Sequence, residues 1–179
     1  MKRIYNPIQK DYVTFLETFN DTNGERTVAD VELAPGGGVG NHYHKTYVEK
    51  FEVKEGELKV QLGKKIVTLV PGQTLTAERN IVHRFFSTSS EVCKFRVTLN
   101  PASRGFEESL QIGYGLAADG QCNKKGMPKN PLVLAWLFSI SESNISGWRS
   151  VFEFVLNIQA RKAIKKGIDR ELREKYVKF

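Results

Sequence analysis

Histidine is scarce in this 179-residue chain: there are only three, His42, His44 and His83. Cysteine is scarcer still. Cys93 and Cys122 stand far apart and form no C-x-x-C pair. That excludes a disulfide framework and makes a reducing compartment the default. Long apolar runs are missing too. The most apolar stretch, 131–140, is far short of the ~20 residues that span a bilayer. The opening Met1-Lys2-Arg3-Ile4-Tyr5-Asn6-Pro7 lacks the apolar core of a signal peptide. The cytoplasm is the expected location, and membrane attachment is not expected. Internal repeats and low-complexity runs are absent. So is a uniformly basic surface. The net charge is +7, but residues 161–179 hold eight cations against three acids and account for most of the excess. The rest of the chain is close to neutral. No nucleic-acid partner is expected from that distribution, and the basic tail reads as a solvated helix face.

What is present is the composition of an ordinary globular protein, 40% apolar and 26% charged. The length suits one hydrophobic core. Residues 1–25 form a lead-in of mixed polarity. Residues 26–100 alternate with period two. Phe51 and Val53 share a parity with Glu49 against Lys50, Glu52 and Lys54. Leu58, Val60 and Leu62 alternate with Glu57, Lys59 and Gln61. Cys93, Phe95, Val97 and Leu99 alternate with Lys94, Arg96 and Thr98. Such patterning buries one face of a strand and wets the other. Turn residues punctuate it at 35–38, 55–57, 63–64 and 71–72. Short strands at this spacing predict an antiparallel sandwich or barrel.

Residues 101–179 change to a helical period. Phe106, Leu110, Gly113 and Leu116 share one helix face. Asn130-Pro131 reads as a cap followed by proline at the first helical position. Trp148, Val151, Phe152, Val155, Leu156 and Ala163 form a second apolar stripe, stopped by Gly167. Asp169 is positioned to cap a last short helix carrying Leu172 and Tyr176. These stripes predict packing on the sheet or on a second subunit.

The chemistry concentrates on few residues. His42 and His44, at i and i+2, present both imidazoles on one face of a strand. Glu49 follows on the inward parity of Phe51 and Val53. A carboxylate facing a core is costly unless it is paired or bound to a metal. His83, with Ile81 and Phe85, takes an inward parity on another strand. Three neutral imidazole nitrogens and one ionised carboxylate oxygen suit a divalent transition metal and leave coordination positions open. The ligand set does not choose among Fe, Mn, Ni, Cu and Zn. Tyr47, Phe51, Phe85, Cys93, Phe95 and Val97 share the inward parity and would line an apolar pocket, although each also reads as plain core packing. Cys93 has no further histidine to activate it as a nucleophile. The glycine run at 36–40 lacks the lysine and the strand–loop–helix context of a phosphate loop. It reads as a turn where backbone passes close to the metal site.

The order of these residues resembles the cupin family. That family's first motif, G-x5-H-x-H-x(3,4)-E-x6-G, matches Gly36, His42, His44, Glu49 and Gly56 at every fixed position. Its second motif, G-x5-P-x-G-x2-H-x3-N, matches at Gly72 and His83, while Glu78, Asn80 and Ser87 replace the proline, glycine and asparagine. Asparagine tolerates the positive φ of the replaced glycine. The resemblance covers roughly residues 26–100 and is similar to that of small single-domain bacterial cupins.

It implies a mainly β fold, a double-stranded β-helix (jelly-roll) barrel, with a C-terminal α-helical extension. Residues 1–100 are then the barrel domain with its lead-in. Residues 101–179 are a helical extension on the barrel or on a dimer partner, since cupins commonly pair. It also implies one divalent metal on His42, His44, Glu49 and His83, and a small organic substrate or ligand. Similar three-His, one-Glu cupins include dioxygenases acting on flavonols, thiols and aromatic diols, in which Glu49 would double as general base. Isomerases, epimerases, decarboxylases and non-catalytic binders share the ligand set, and fold alone does not choose among them. No helix-turn-helix pattern accompanies the barrel.

Overall fold

The computed structural model describes residues 2–144 and 149–179, without the side chains of 149–153. The polar lead-in is built into the sheet: β1 (Arg3–Asn6) and β2 (Asp11–Glu17) form a hairpin, and β2 pairs with β3 (Thr27–Leu33). There follow β4 (Tyr43–His44), β5 (Val48–Glu55), β6 (Leu58–Leu62), β7 (Lys65–Leu69), β8 (Thr74–Ala77), β9 (His83–Phe86) and β10 (Cys93–Asn100). One antiparallel sheet runs β1-β2-β3-β10-β5-β8, and a smaller one runs β7-β6-β9. The turns foreseen at 55–57, 63–64 and 71–72 fall between the strands they were expected to join.

The period-two reading accounts for the core. β10 buries Cys93, Phe95, Val97 and Leu99 and turns Lys94 outward. β5 buries Glu49, Phe51 and Val53. The two sheets close on each other through aromatic rings. Phe85 of β9 meets Phe51 at 5.9 Å and Phe95 at 5.1 Å, edge to face in both cases. With Leu58, Val60, Val13, Phe15 and Val31 they form one continuous core. The architecture is a double-stranded β-helix followed by helices.

Gly38 marks where the glycine run crosses the smaller sheet. Its φ is +150°, and a Cβ there would meet the Phe85 carbonyl oxygen at 2.6 Å. The Val39 amide donates to that carbonyl at 3.0 Å. The close approach is therefore to β9, the strand that carries His83.

Four helices follow: α1 (Arg104–Ala118), α2 (Pro131–Ser141), α3 (Arg149–Lys165) and α4 (Ile168–Tyr176). Ser103 caps α1 and Asn130 caps α2, with Pro131 at the first position as its sequence implies. Gly167, at φ 75°, ends α3. α1 is bolted to the larger sheet by buried polar contacts. Glu107 accepts from the Phe19 amide at 2.7 Å and from the Thr27 hydroxyl at 2.5 Å. Tyr114 donates to Asp11 at 2.7 Å. Ile112 and Leu116 turn the other way, into a second core with Val133, Trp136, Leu137, Ala163 and Leu172.

Several expectations about this region are corrected. Phe106 and Leu110 pack on the barrel core, Leu116 packs among the helices, and Gly113 faces open space, because α1 straddles two cores and not one. Val155 is exposed; the inward line of α3 is Leu156, Ala160 and Ala163, the spacing that one helix face allows. Val151 and Phe152 lie outside the described side chains, and Trp148 lies outside the described residues. Asp169 does not cap α4. Gly167 holds that position, and the Asp169 carboxylate pairs with Arg173 one turn on at 3.2 Å. Ile81 is exposed, since β9 begins only at His83. Nor is the region purely helical: β11 (Ser143–Asn144) pairs antiparallel with β4.

Candidate metal centre

His42 and His83 lie opposite each other where two chain segments meet. The His42 amide donates to the His83 carbonyl at 2.9 Å, and the reverse bond is 2.7 Å. His44 follows at the end of β4. Its carbonyl accepts the Asn80 amide at 2.7 Å, and Asn80 takes φ 64°. Asparagine thus occupies the left-handed position that the second motif gives to glycine, and the turn delivering His83 is tied to the strand carrying His44. Glu49 enters from β5, between Leu99 of β10 and Ala77 of β8.

These four side chains converge. One ligand atom from each of His42, His44, Glu49 and His83 lies within 4.8 Å of the others. The Glu49 Oε2 atom is 2.8 Å from His83 Nε2 and 3.4 Å from His44 Nε2. Glu49, His44 and His83 are 4%, 2% and 1% exposed, so water contributes little to their solvation. Burial raises the pKa of Glu49, but the imidazoles of His44 and His83 outweigh it and hold the carboxyl well below the usual range. Burial pushes His42 down to about 4. For His83, burial acts downward, and the adjoining carboxylate overrides it and raises the pKa.

The ring nitrogens show whether a metal fits. His42 Nδ1 is 2.8 Å from the Gly40 carbonyl, and His83 Nδ1 is 2.9 Å from the Ile81 carbonyl. A carbonyl can only accept, so each Nδ1 carries the hydrogen when the ring is neutral. A neutral ring then offers its Nε2 lone pair to a cation; at His83 that nitrogen faces the Glu49 carboxylate at 2.8 Å, an arrangement that only a proton or a metal ion between the two atoms reconciles. His44 is buried with neither ring nitrogen hydrogen-bonded. An orphaned imidazole beside an ionised carboxylate is costly without a cation between them. Three nitrogen donors and one oxygen donor therefore fit a divalent transition metal.

The six inward-facing residues divide by depth. Tyr47 stacks on His44 with centroids 4.3 Å apart, and Phe51 stands edge-on to His83 at 6.3 Å. Phe85 and Phe95 form the layer behind Phe51. Val97 lies opposite Phe51 in the ladder. Cys93 shares the buried face, but six residues separate it along β10 from Leu99, the partner of Glu49. At ~3.3 Å per residue that is roughly 20 Å. Burial raises its thiol to about 11, away from nucleophilic chemistry at neutral pH.

The sequence reading missed the contacts from beyond the barrel. Tyr47 donates its hydroxyl to the Ser141 carbonyl at 3.2 Å, and His44 pairs with Ser143. Roughly a hundred residues separate these partners, and no local pattern announces the pairing.

Residues 29–99 match the family model described as "Cupin domain". No curated protein matches the chain. Among solved structures, a sugar phosphate isomerase of the cupin superfamily from Silicibacter pomeroyi aligns with a TM-score of 0.50 at 19% identity. The alignment covers 56% of this chain and 71% of that one. KdgF from Halomonas sp. aligns with a TM-score of 0.48 at 15% identity over 53% of this chain and 82% of that one. The polyketide cyclase RemF from Streptomyces resistomycificus gives 0.47 at 20% identity, covering 51% and 65%. At these identities the likeness concerns the fold. Among the described residues no helix is long and apolar enough to cross a membrane.

Proposed function

This chain is a member of the cupin superfamily through its domain at residues 29–99, and from that premise we propose that it is a metal-dependent enzyme acting on a small organic molecule. His42, His44, Glu49 and His83 hold the metal. The observation that carries the reading is the pair of imidazoles whose Nδ1 atoms are engaged by the Gly40 and Ile81 carbonyls, facing a buried, ionised carboxylate.

When bound, a divalent metal supplies a Lewis-acid centre with open positions for substrate or dioxygen, and dioxygenase-like chemistry is the reading we favour. The chain's own residues do the rest. The Nδ1 bonds fix the ring orientation of His42 and His83. Tyr47 and Phe51 set apolar rings against His44 and His83, a setting that would exclude water and favour an aromatic or otherwise apolar substrate. Glu49, buried and held ionised by its imidazole neighbours, is the group that would take a substrate proton as general base. The homodimer common among cupins and a cytoplasmic location belong to the same proposal.

An isomerase, epimerase or decarboxylase would use the same ligands. A second reading, a non-catalytic binder of a small molecule, draws support from the depth of the cluster, whose carboxylate and two inner imidazoles are almost fully enclosed. An oxygen electrode separates the readings. Fe(II)- or Ni(II)-loaded protein is offered a panel of flavonols, catechols and thiols. Oxygen uptake that disappears in Glu49→Gln supports the dioxygenase-like enzyme. A silent panel, with a small molecule retained in native mass spectrometry, favours the binder.

A further inference from the structure

The three imidazoles of the cluster are not held alike. His42 and His83 are each fixed by a bond from Nδ1 to the carbonyl two residues earlier, at Gly40 and Ile81. His44 has no such bond on either nitrogen. Its ring is instead held face-on by Tyr47, with an interplanar angle of 26°.

Tyr47 is itself held by the segment that leaves α2. Its buried hydroxyl donates to the Ser141 carbonyl at 3.2 Å. The neighbours of Tyr47 and His44 engage the same segment, residue by residue and in antiparallel order. Thr46 donates its hydroxyl to the Glu142 carboxylate. His44 pairs with Ser143, and Tyr43 pairs with Asn144. The Asn144 amide group also donates to the Tyr43 carbonyl at 3.4 Å. Glu142, at φ 53°, makes the left-handed turn that reverses the chain out of α2 and into β11. Residues 141–144 therefore lie as a seam along residues 43–47, the stretch that carries the one imidazole of the cluster with no hydrogen bond on either ring nitrogen.

We propose that Tyr47 and the 141–144 seam are positioning elements of the metal centre: the helical extension orients His44 through the Tyr47 ring, and metal affinity depends on that contact. This rests on the reading of the cluster as a metal site. Outer contacts that orient a ligating imidazole typically change metal affinity ~10–100-fold when removed. Tyr47→Leu, which removes the stacking ring, weakens Co(II) binding within that range in competition with a chromophoric chelator. Tyr47→Phe keeps the ring and its volume, loses the hydroxyl's bonds to Ser141 and Ser143, and weakens binding about threefold. Tyr114→Phe is the control. It removes an equally buried hydroxyl, bonded to Asp11 on the larger sheet, and it leaves Co(II) affinity within twofold while lowering thermal stability.

Coupling is reciprocal, so the metal must also act on the seam. In the wild-type protein, Co(II) slows amide exchange at Ser143 and Asn144 by the factor that Tyr47 contributes to affinity, and Tyr47→Leu abolishes the slowing. Folded Tyr47→Leu that binds Co(II) within twofold of wild type, or unchanged exchange at 143–144, overturns the proposal while the metal site stands. Wild-type protein that binds no metal overturns both.

Discussion

Asp11 offers the sharpest test of the packing between α1 and the larger sheet. It is 1% exposed, and its Oδ1 atom has no hydrogen-bond partner. Burial raises its pKa to about 6, against the lowering effect of the Tyr114 hydroxyl bonded at 2.7 Å. In the unfolded chain the same carboxyl titrates near 3.8. Between those two values the native state holds a proton that the unfolded chain has released. Stability therefore falls as pH rises through the window from about 4 to 6. At ~1.4 kcal/mol per pKa unit, the full change is about 3 kcal/mol. Asp11→Asn keeps an oxygen to accept from Tyr114 but cannot ionise. Urea denaturation of both proteins from pH 4 to 7 makes the measurement. The wild type loses about 3 kcal/mol relative to the variant across that range, and the two are flat with respect to each other above pH 7. Parallel curves throughout would mean that Asp11 is not desolvated in solution and that α1 does not seal this face.

Three further predictions follow from single contacts. Gly38→Ala drives a Cβ to within 2.6 Å of the Phe85 carbonyl oxygen and costs about 2–3 kcal/mol or more, read by thermal unfolding. Asn130→Ala removes the oxygen that caps α2 through the Leu132 amide and costs about 1 kcal/mol, while Asn130→Asp restores most of it. Metal affinity rises with pH: Glu49 raises the pKa of His83, so its imidazole sheds a proton on coordination, and calorimetry in two buffers of different ionisation heat registers that release.

The barrel was legible because its signals are local. Alternation along 93–99 and 49–53 fixed which side chains turn inward, and that parity placed Glu49 in the core beside Phe51 and Val53. The ligand set was legible because a chain with three histidines put all of them on the ligand positions of two motifs. Parity, however, carries no depth. It put Cys93 on the correct face but did not reveal the roughly 20 Å between it and the cluster, which only the register of β10 against β5 supplies. The helices were harder to read. A single-face reading of α1 failed because Phe106 serves the barrel while Leu116 serves the helical core. Asp169 had the residue type of a cap, yet Gly167 allowed α4 to begin two residues earlier. The seam from Ser141 to Asn144 left no trace in the sequence, because its partners at 43–47 are joined by tertiary packing alone.

The central claim is that four side chains from separate segments share one cation. Metal content by inductively coupled plasma mass spectrometry tests it most directly. The protein is exposed in turn to Fe(II), Mn(II), Ni(II), Cu(II) and Zn(II), then dialysed. The account predicts close to one metal per chain for at least one of these ions, falling to a small fraction in His83→Ala and in Glu49→Gln. Wild-type protein that retains none of the five, or variants that retain as much as the wild type, would contradict it.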